Sequence, residues 1–210
     1  MSRHVWVPFE RKLLSTTVTC DTTVAASFLQ EIQGTLPKRR MIVGLDTEWK
    51  MPDGNGFKTA LLQLCVGTSV LIFQVLYAAA GDLPEVLKRF LTEENHIFTG
   101  AHIENDVKRL QEDFGVTISN PTDLQIAVPQ AATRYEYLGG THPIHGRRRS
   151  SLEKIAREVL NLPHLQKMDA DQTNWHAQDL DTLQETYAAE DAYLSYKIAN
   201  QLVIKDGYRF

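Results

Sequence analysis

Three runs rich in Val, Leu and Ile, namely Met41 to Trp49, Thr59 to Val66 and Ser69 to Tyr77, follow one another with little but turn residues between them. Pro52-Asp53-Gly54-Asn55-Gly56 lies in the first gap and Gly67-Thr68 fills the second. Neither gap holds the dozen or so residues of a parallel crossover, so the three runs are expected to be antiparallel neighbours in a meander. After them, His96 to Ala101 reads as a strand. Ile103 to Phe114 reads as a helix, with Ile103, Val107, Leu110 and Phe114 at core spacing. This change from a period of two to one of 3.6 limits the chain to an α/β arrangement with a mixed sheet.

The flanks fit that frame. Residues 4–9 and 11–20 are rich in Val, Thr and aromatics and predict an opening pair of strands. Asp21 then caps a helix that buries Val24, Phe28, Leu29 and Ile32 and stops near Gly34, with Pro37 beyond. A helix is expected from Asp82 or Leu83 to about Thr92. Another begins at Ser150 or Ser151 and runs toward Pro163, and a long one spans about Asp181 to Val203. Residues 120–151 are weakly patterned, and 139–149 read as an exposed loop. A length of 210 residues without repeats or low-complexity tracts predicts a single domain over 1–210.

Composition excludes several functions. The net charge of −4 argues against a protein held on nucleic acid by bulk positive charge, although it leaves room for a local basic strip. Two cysteines, Cys20 and Cys65, without a Cys-x-x-Cys motif suggest neither a disulfide framework nor a zinc site, which points to a reducing cytoplasmic or nuclear setting. The longest apolar run, Val70 to Ala80, is too short to cross a bilayer, and the N-terminus lacks the apolar core of a secretory signal.

The chemistry is carried by carboxylates. In Asp46-Thr47-Glu48 the period of two puts both acids on one side of a strand, a repulsive pairing that a hard divalent cation such as magnesium or manganese would relieve. Asp106 lies at the start of a helix, where an acid also complements the helix dipole. Tyr187 and Asp191, four residues apart, share one face of the last helix. Each feature alone fits an ordinary solvated or capping role; their conjunction is what points to a site.

Gly44-Leu45-Asp46-Thr47-Glu48-Trp49, Ala60-Leu61-Leu62-Gln63-Leu64-Cys65, His102-Ile103-Glu104-Asn105-Asp106 and Asn174-Trp175 leading to Tyr187-Ala188-Ala189-Glu190-Asp191-Ala192-Tyr193 occur in this order across about residues 41–197. Together they resemble the motif series of the DEDDy 3′-to-5′ exonucleases, in particular the Werner-like branch and the small plant exoribonucleases associated with RNA silencing complexes. The resemblance implies a ribonuclease H-like (DnaQ-like) exonuclease fold. It also implies a metal set of Asp46, Glu48, Asp106 and Asp191, holding two magnesium or manganese ions, with Tyr187 completing the catalytic residues. An ordinary phenol, with a pKa of about 10, is a poor base at neutral pH, so Tyr187 is expected to position the attacking water. Asp123 is expected to be a structural acceptor outside the metal set, and Trp175 to pack in the core or to stack on a base. His102 resembles the base of a histidine-type sister group, but the residue four before Asp191 is a tyrosine.

The lack of a helicase motif points to the 3′ end of a single strand as substrate, and the resemblance implies RNA in preference to DNA. Residues 141–160 carry five basic residues, Arg147, Arg148, Arg149, Lys154 and Arg157, against Glu153 and Glu158. Arg147, Arg148 and Arg149 fit a contact to the substrate backbone and equally a solvated loop. The alternatives are a Werner-type DNA exonuclease and a non-catalytic nuclease-like scaffold, the latter usually marked by a lost carboxylate. The resemblance further allows a homo-oligomer and an RNA-silencing partner.

Overall fold

A computed structural model describes residues 2–34, 40–50, 58–139, 150–166 and 174–210. The chain opens with β1 (Ser2–Phe9), β2 (Lys12–Thr19) and α1 (Thr22–Gln33), then runs through β3 (Met41–Lys50), β4 (Lys58–Val66) and β5 (Ser69–Gln74). Next come α2 (Glu85–Leu91), β6 (His96–Gly100), α3 (Ile103–Phe114), β7 (Pro121–Asp123) and α4 (Leu124–Ala131). Two helices, α5 (Leu152–Val159) and α6 (Thr182–Asp206), close the described chain. Among the described residues the strands form one seven-stranded sheet in the order β1-β2-β5-β4-β3-β6-β7. The meander pairs antiparallel as expected, whereas β2 joins β5, and β6 joins β3 and β7, in parallel. The sheet is therefore mixed and flanked by helices, the ribonuclease H-like arrangement.

Alternation along the strands feeds two cores. Leu62 and Leu64 of β4 join Val43 and Leu45 of β3, Phe73 and Phe98 under α1, α2 and α3. Leu61 and Cys65 point the other way and pack with Ala188, Ala192 and Ile198 of α6 and with α5. Because both faces are covered, β4 is a nearly continuous apolar run, and each fully buried Leu or Phe contributes roughly 1.5–3 kcal/mol.

Helix α6 lies across the centre of the sheet. Its start is fixed by a capping box between Asp181 and Gln184. Arg3 of β1 ties the same end down, donating from Nε to Glu185 Oε1 at 2.6 Å and from a terminal nitrogen to Leu180 O at 2.9 Å. The helix approaches β3 at Gly44, where a Cβ would meet the Ala192 carbonyl oxygen at 1.9 Å and the Tyr196 nitrogen at 2.6 Å. Only glycine lets backbone meet backbone this closely.

Two expectations need correction. Residues Val75–Tyr77, read as the end of a strand, form a 3-10 turn. The weakly patterned 120–151 stretch contains β7, α4 and a 3-10 segment over Thr133–Gly139. The cause is local: β7 has three residues, and Pro129 interrupts the regular helical pattern of α4. No described helix is long and apolar enough to cross a membrane.

Candidate active site

A cleft of about 340 Å³ opens at the C-terminal end of β3, beside the point where its parallel neighbour β6 hands over to α3. Asp46 and Glu48 of β3 and Asp191 of α6 enter it with carboxylate oxygens that all lie within 4.8 Å of one another. Their convergence follows from the packing just described. Gly44, Asp46 and Glu48 share the face of β3 that meets α6, and the close contact at Ala192 brings the preceding residue, Asp191, over the strand end.

Asp106 lines the same cleft, in the first turn of α3, but its carboxylate is engaged differently. Thr47 sits between the two acids of β3 and so points to the strand's opposite face, where its hydroxyl donates to Asp106 Oδ1. The indole Nε1 of Trp49 in turn donates to Thr47 Oγ1 at 2.7 Å, and the Arg109 guanidinium stacks over that indole at 5.0 Å. Asp106 is 4% exposed, and burial pushes its carboxyl up to about 7 against the opposing pull of the Thr47 hydrogen bond; the charge of Asp123 adds to the rise. The structure thus places three of the four expected carboxylates in mutual contact and the fourth on the cleft wall.

In chelator, the folded protein holds the Asp106 proton more tightly than the unfolded chain does. Stability should therefore fall as pH rises from about 4 to about 7 and level off above that. Asp106→Asn keeps an oxygen for Thr47 and should remove this part of the slope, gaining on the order of 2–4 kcal/mol at pH 8 relative to wild type. Urea unfolding of both proteins in EDTA at pH 5 and pH 8 measures it, and parallel slopes would contradict the assignment.

Tyr187 stands one turn before Asp191, half-buried at the cleft, with its ring 5.8 Å from that of Trp175. Trp175 is 2% exposed and belongs to the core, so packing is its role. The loop that carries it is pinned by Gln74, whose amide donates to the carbonyls of Ala177 and Gln178, and by the Tyr77 hydroxyl, which donates to His176 O. His102 adopts a left-handed conformation (φ 59°) ahead of α3. The Gln125 amide, oriented by its bond to Ser150 O, donates to His102 Nε2, so that nitrogen is already in use as an acceptor. Asp123 caps α4 by accepting from Gln125 N at 2.8 Å.

No lysine or arginine occurs among the described residues that line the cleft. Three oxygen donors of like charge within 4.8 Å suit a hard divalent cation, so the residues present fit such an ion. Arg147, Arg148 and Arg149 lie outside the described residues. Of the remaining basic strip, Arg157 is committed to the fold, pairing with Glu153 and donating to Leu165 O at 2.7 Å.

The sequence model of a family described as 3′-5′ exonuclease matches residues 16–205. Exonuclease 3′-5′ domain-containing protein 2 of Homo sapiens is 27% identical over 172 residues, covering 80% of this chain and 26% of that protein. A 3′-5′ exonuclease of Arabidopsis thaliana is 26% identical over 167 residues, covering 78% of this chain and 52% of the plant protein. The chain thus spans a quarter to a half of the length of these relatives. Among solved structures, the Aedes aegypti Nibbler EXO domain superposes with a TM-score of 0.68 at 19% identity, covering 89% of this chain and 86% of the other. Escherichia coli RNase D, described as an exoribonuclease involved in structured RNA processing, gives 0.69 at 18% identity, with 90% and 44% covered. At such identities these two likenesses speak to the fold.

Proposed function

Because the chain belongs to the 3′-5′ exonuclease family, we propose that it hydrolyses the terminal phosphodiester bond at the 3′ end of single-stranded nucleic acid, RNA in preference to DNA, releasing nucleoside 5′-monophosphates. The observation that carries this reading is the meeting of Asp46, Glu48 and Asp191 within 4.8 Å in an open cleft beside Tyr187. Two divalent cations, magnesium or manganese, held by these three residues and by Asp106, would supply Lewis-acid stabilisation of the phosphorane and a water acidic enough to attack. The protein's own part is positional. The Tyr187 hydroxyl orients the attacking water, and its ring is held by Trp175. Thr47, braced by Trp49, holds the Asp106 carboxylate in one rotamer, so the fourth acid is preorganised.

The RNA preference rests on the resemblance of the motif set to the small plant exoribonucleases. The same resemblance adds to this reading a homo-oligomer and an RNA-silencing partner, and the run of positive charge at Arg147, Arg148 and Arg149 adds a contact to the substrate backbone.

Matched RNA and DNA oligonucleotides, blunt or with a 3′ overhang, incubated in magnesium, manganese or EDTA, test the reading directly. Stepwise shortening of the RNA from its 3′ end with cation and none in EDTA is expected. Faster shortening of DNA would overturn the RNA preference, and cation-independent cleavage would overturn the mechanism.

A further inference from the structure

A second hollow, of about 590 Å³, lies between the β1–β2 turn, the end of α5 and the outer side of α6. Its α6 wall is made by Tyr193, Lys197 and Gln201, a stripe at four-residue spacing. Tyr193 is two residues past Asp191, which places this stripe about 200° round the helix from the catalytic carboxylates. The hollow is therefore separate from the cleft.

Its chemistry is unlike that of the cleft. The floor is apolar: the edges of the buried Phe9 and Tyr193 rings, with centroids 5.1 Å apart, are flanked by the half-buried Leu160 and Leu162. Three cations stand around it, Arg11 and Lys12 from the hairpin turn and Lys197 from α6, against the single carboxylate of Glu10. Among the described residues none of these cations has a carboxylate partner. Lys197 is held below the ordinary lysine range, first by burial and then by the charges of Lys12 and Lys205, as expected where positive groups crowd without a counterion. The side-chain amides of Asn161 and Gln201 add donors and acceptors to the wall.

An apolar floor, amides on the wall and uncompensated cations at one side match a ligand that joins a flat heteroaromatic ring to an anionic phosphate. The volume falls in the ordinary range for small-molecule sites, about 300–1,000 Å³. We propose that this hollow is a second nucleotide site, which takes the base against the apolar floor of Leu160, Leu162 and the Phe9 and Tyr193 edges and the phosphate on Arg11, Lys12 and Lys197. The nucleotide can come from two sources, a free nucleoside 5′-monophosphate or a residue within a bound strand; the recognising chemistry is the same.

Calorimetric titration in EDTA at low salt tests the site without reference to hydrolysis, because the cation-free cleft carboxylates repel phosphate. The probes are adenosine 5′-monophosphate, inorganic phosphate and a single-stranded RNA pentamer. Saturable binding of the monophosphate, weakened at least tenfold by Lys197→Gln and by Lys12→Glu, is expected and identifies free nucleotide as a source. Binding of the pentamer alone with the same two dependences identifies the strand. Inorganic phosphate should bind at least tenfold more weakly than either. Lys12 is exposed at a hairpin end, so its variant stays informative if Lys197→Gln fails to fold. Absence of saturation by both nucleotide probes, affinities untouched by Lys12→Glu, or phosphate binding as tightly as the nucleotide would each overturn the site. Exonuclease activity would stand or fall independently.

Discussion

Asp46→Asn and Asp191→Asn are each expected to slow 3′-terminal hydrolysis by at least about a hundredfold, because each removes a charge at the point where cation and transition state meet. The two residues come from different elements, β3 and α6, yet share one oxygen cluster. Replacing either one also relieves repulsion in the cation-free protein, so the melting temperature in EDTA should not fall and the loss cannot be blamed on unfolding. Adding manganese should raise the melting temperature of wild type by mass action on the folded state, and should do so less for either variant. Tyr187→Phe, which retains the ring packed on Trp175, should lower kcat with little change in KM. Retention of more than about a tenth of wild-type turnover by Asp46→Asn or Asp191→Asn would remove these residues from the reaction.

Gly44→Ala is expected to do damage of a different kind. Its new methyl group would lie 1.9 Å from the Ala192 carbonyl oxygen and 2.6 Å from the Tyr196 nitrogen, and both are backbone atoms of α6 that no rotamer change can move aside. The helix must lift from the sheet or the strand must bend. Overpacking against side chains costs roughly 1–3 kcal/mol; against backbone the upper end or more applies. For a chain of this length a loss of about 3 kcal/mol lowers the melting temperature by roughly 6–12 °C. A shift of α6 by even about 1 Å also draws Asp191 away from Asp46 and Glu48, which is worth on the order of a hundredfold in rate. A Gly44→Ala protein that melts within about 2 °C of wild type and keeps full activity would show that α6 does not rest on this contact.

Much of this was legible in the order of residues, and what was missed shares a physical reason. Turn chemistry and apolar periodicity located β1 to β6 and α1, α2, α3, α5 and α6, because each is long enough for its period to show. Short elements carry no such signal: β7 has three residues, and Val75–Tyr77 has the composition of a strand but turns as a 3-10 segment. Parallel addition of β2 to β5 depends on pairing between residues such as Thr17 and Leu71, far apart in sequence, which no local pattern encodes. Within the site, the period of two put Asp46 and Glu48 on one side. The same rule sends Thr47 to the other, where it meets Asp106, and was the available clue that Asp106 approaches from a different wall. The basic strip at 141–160 read as uniform charge because charge counts do not reveal which arginines are consumed by structure, as Arg157 is.

The tie between Arg3 and Glu185 joins positions near the two ends of the chain, and Asp191 lies just beyond it. Contacts of such large sequence separation form late, since the intervening chain must close its loop before they contribute. During synthesis β3, which carries both Asp46 and Glu48, leaves the ribosome long before α6 does. For that interval the nascent chain carries two of its acids without Asp191 or Tyr187. The oxygen cluster is therefore incomplete until α6 docks on the sheet, so assembly of the site reports the docking of that helix.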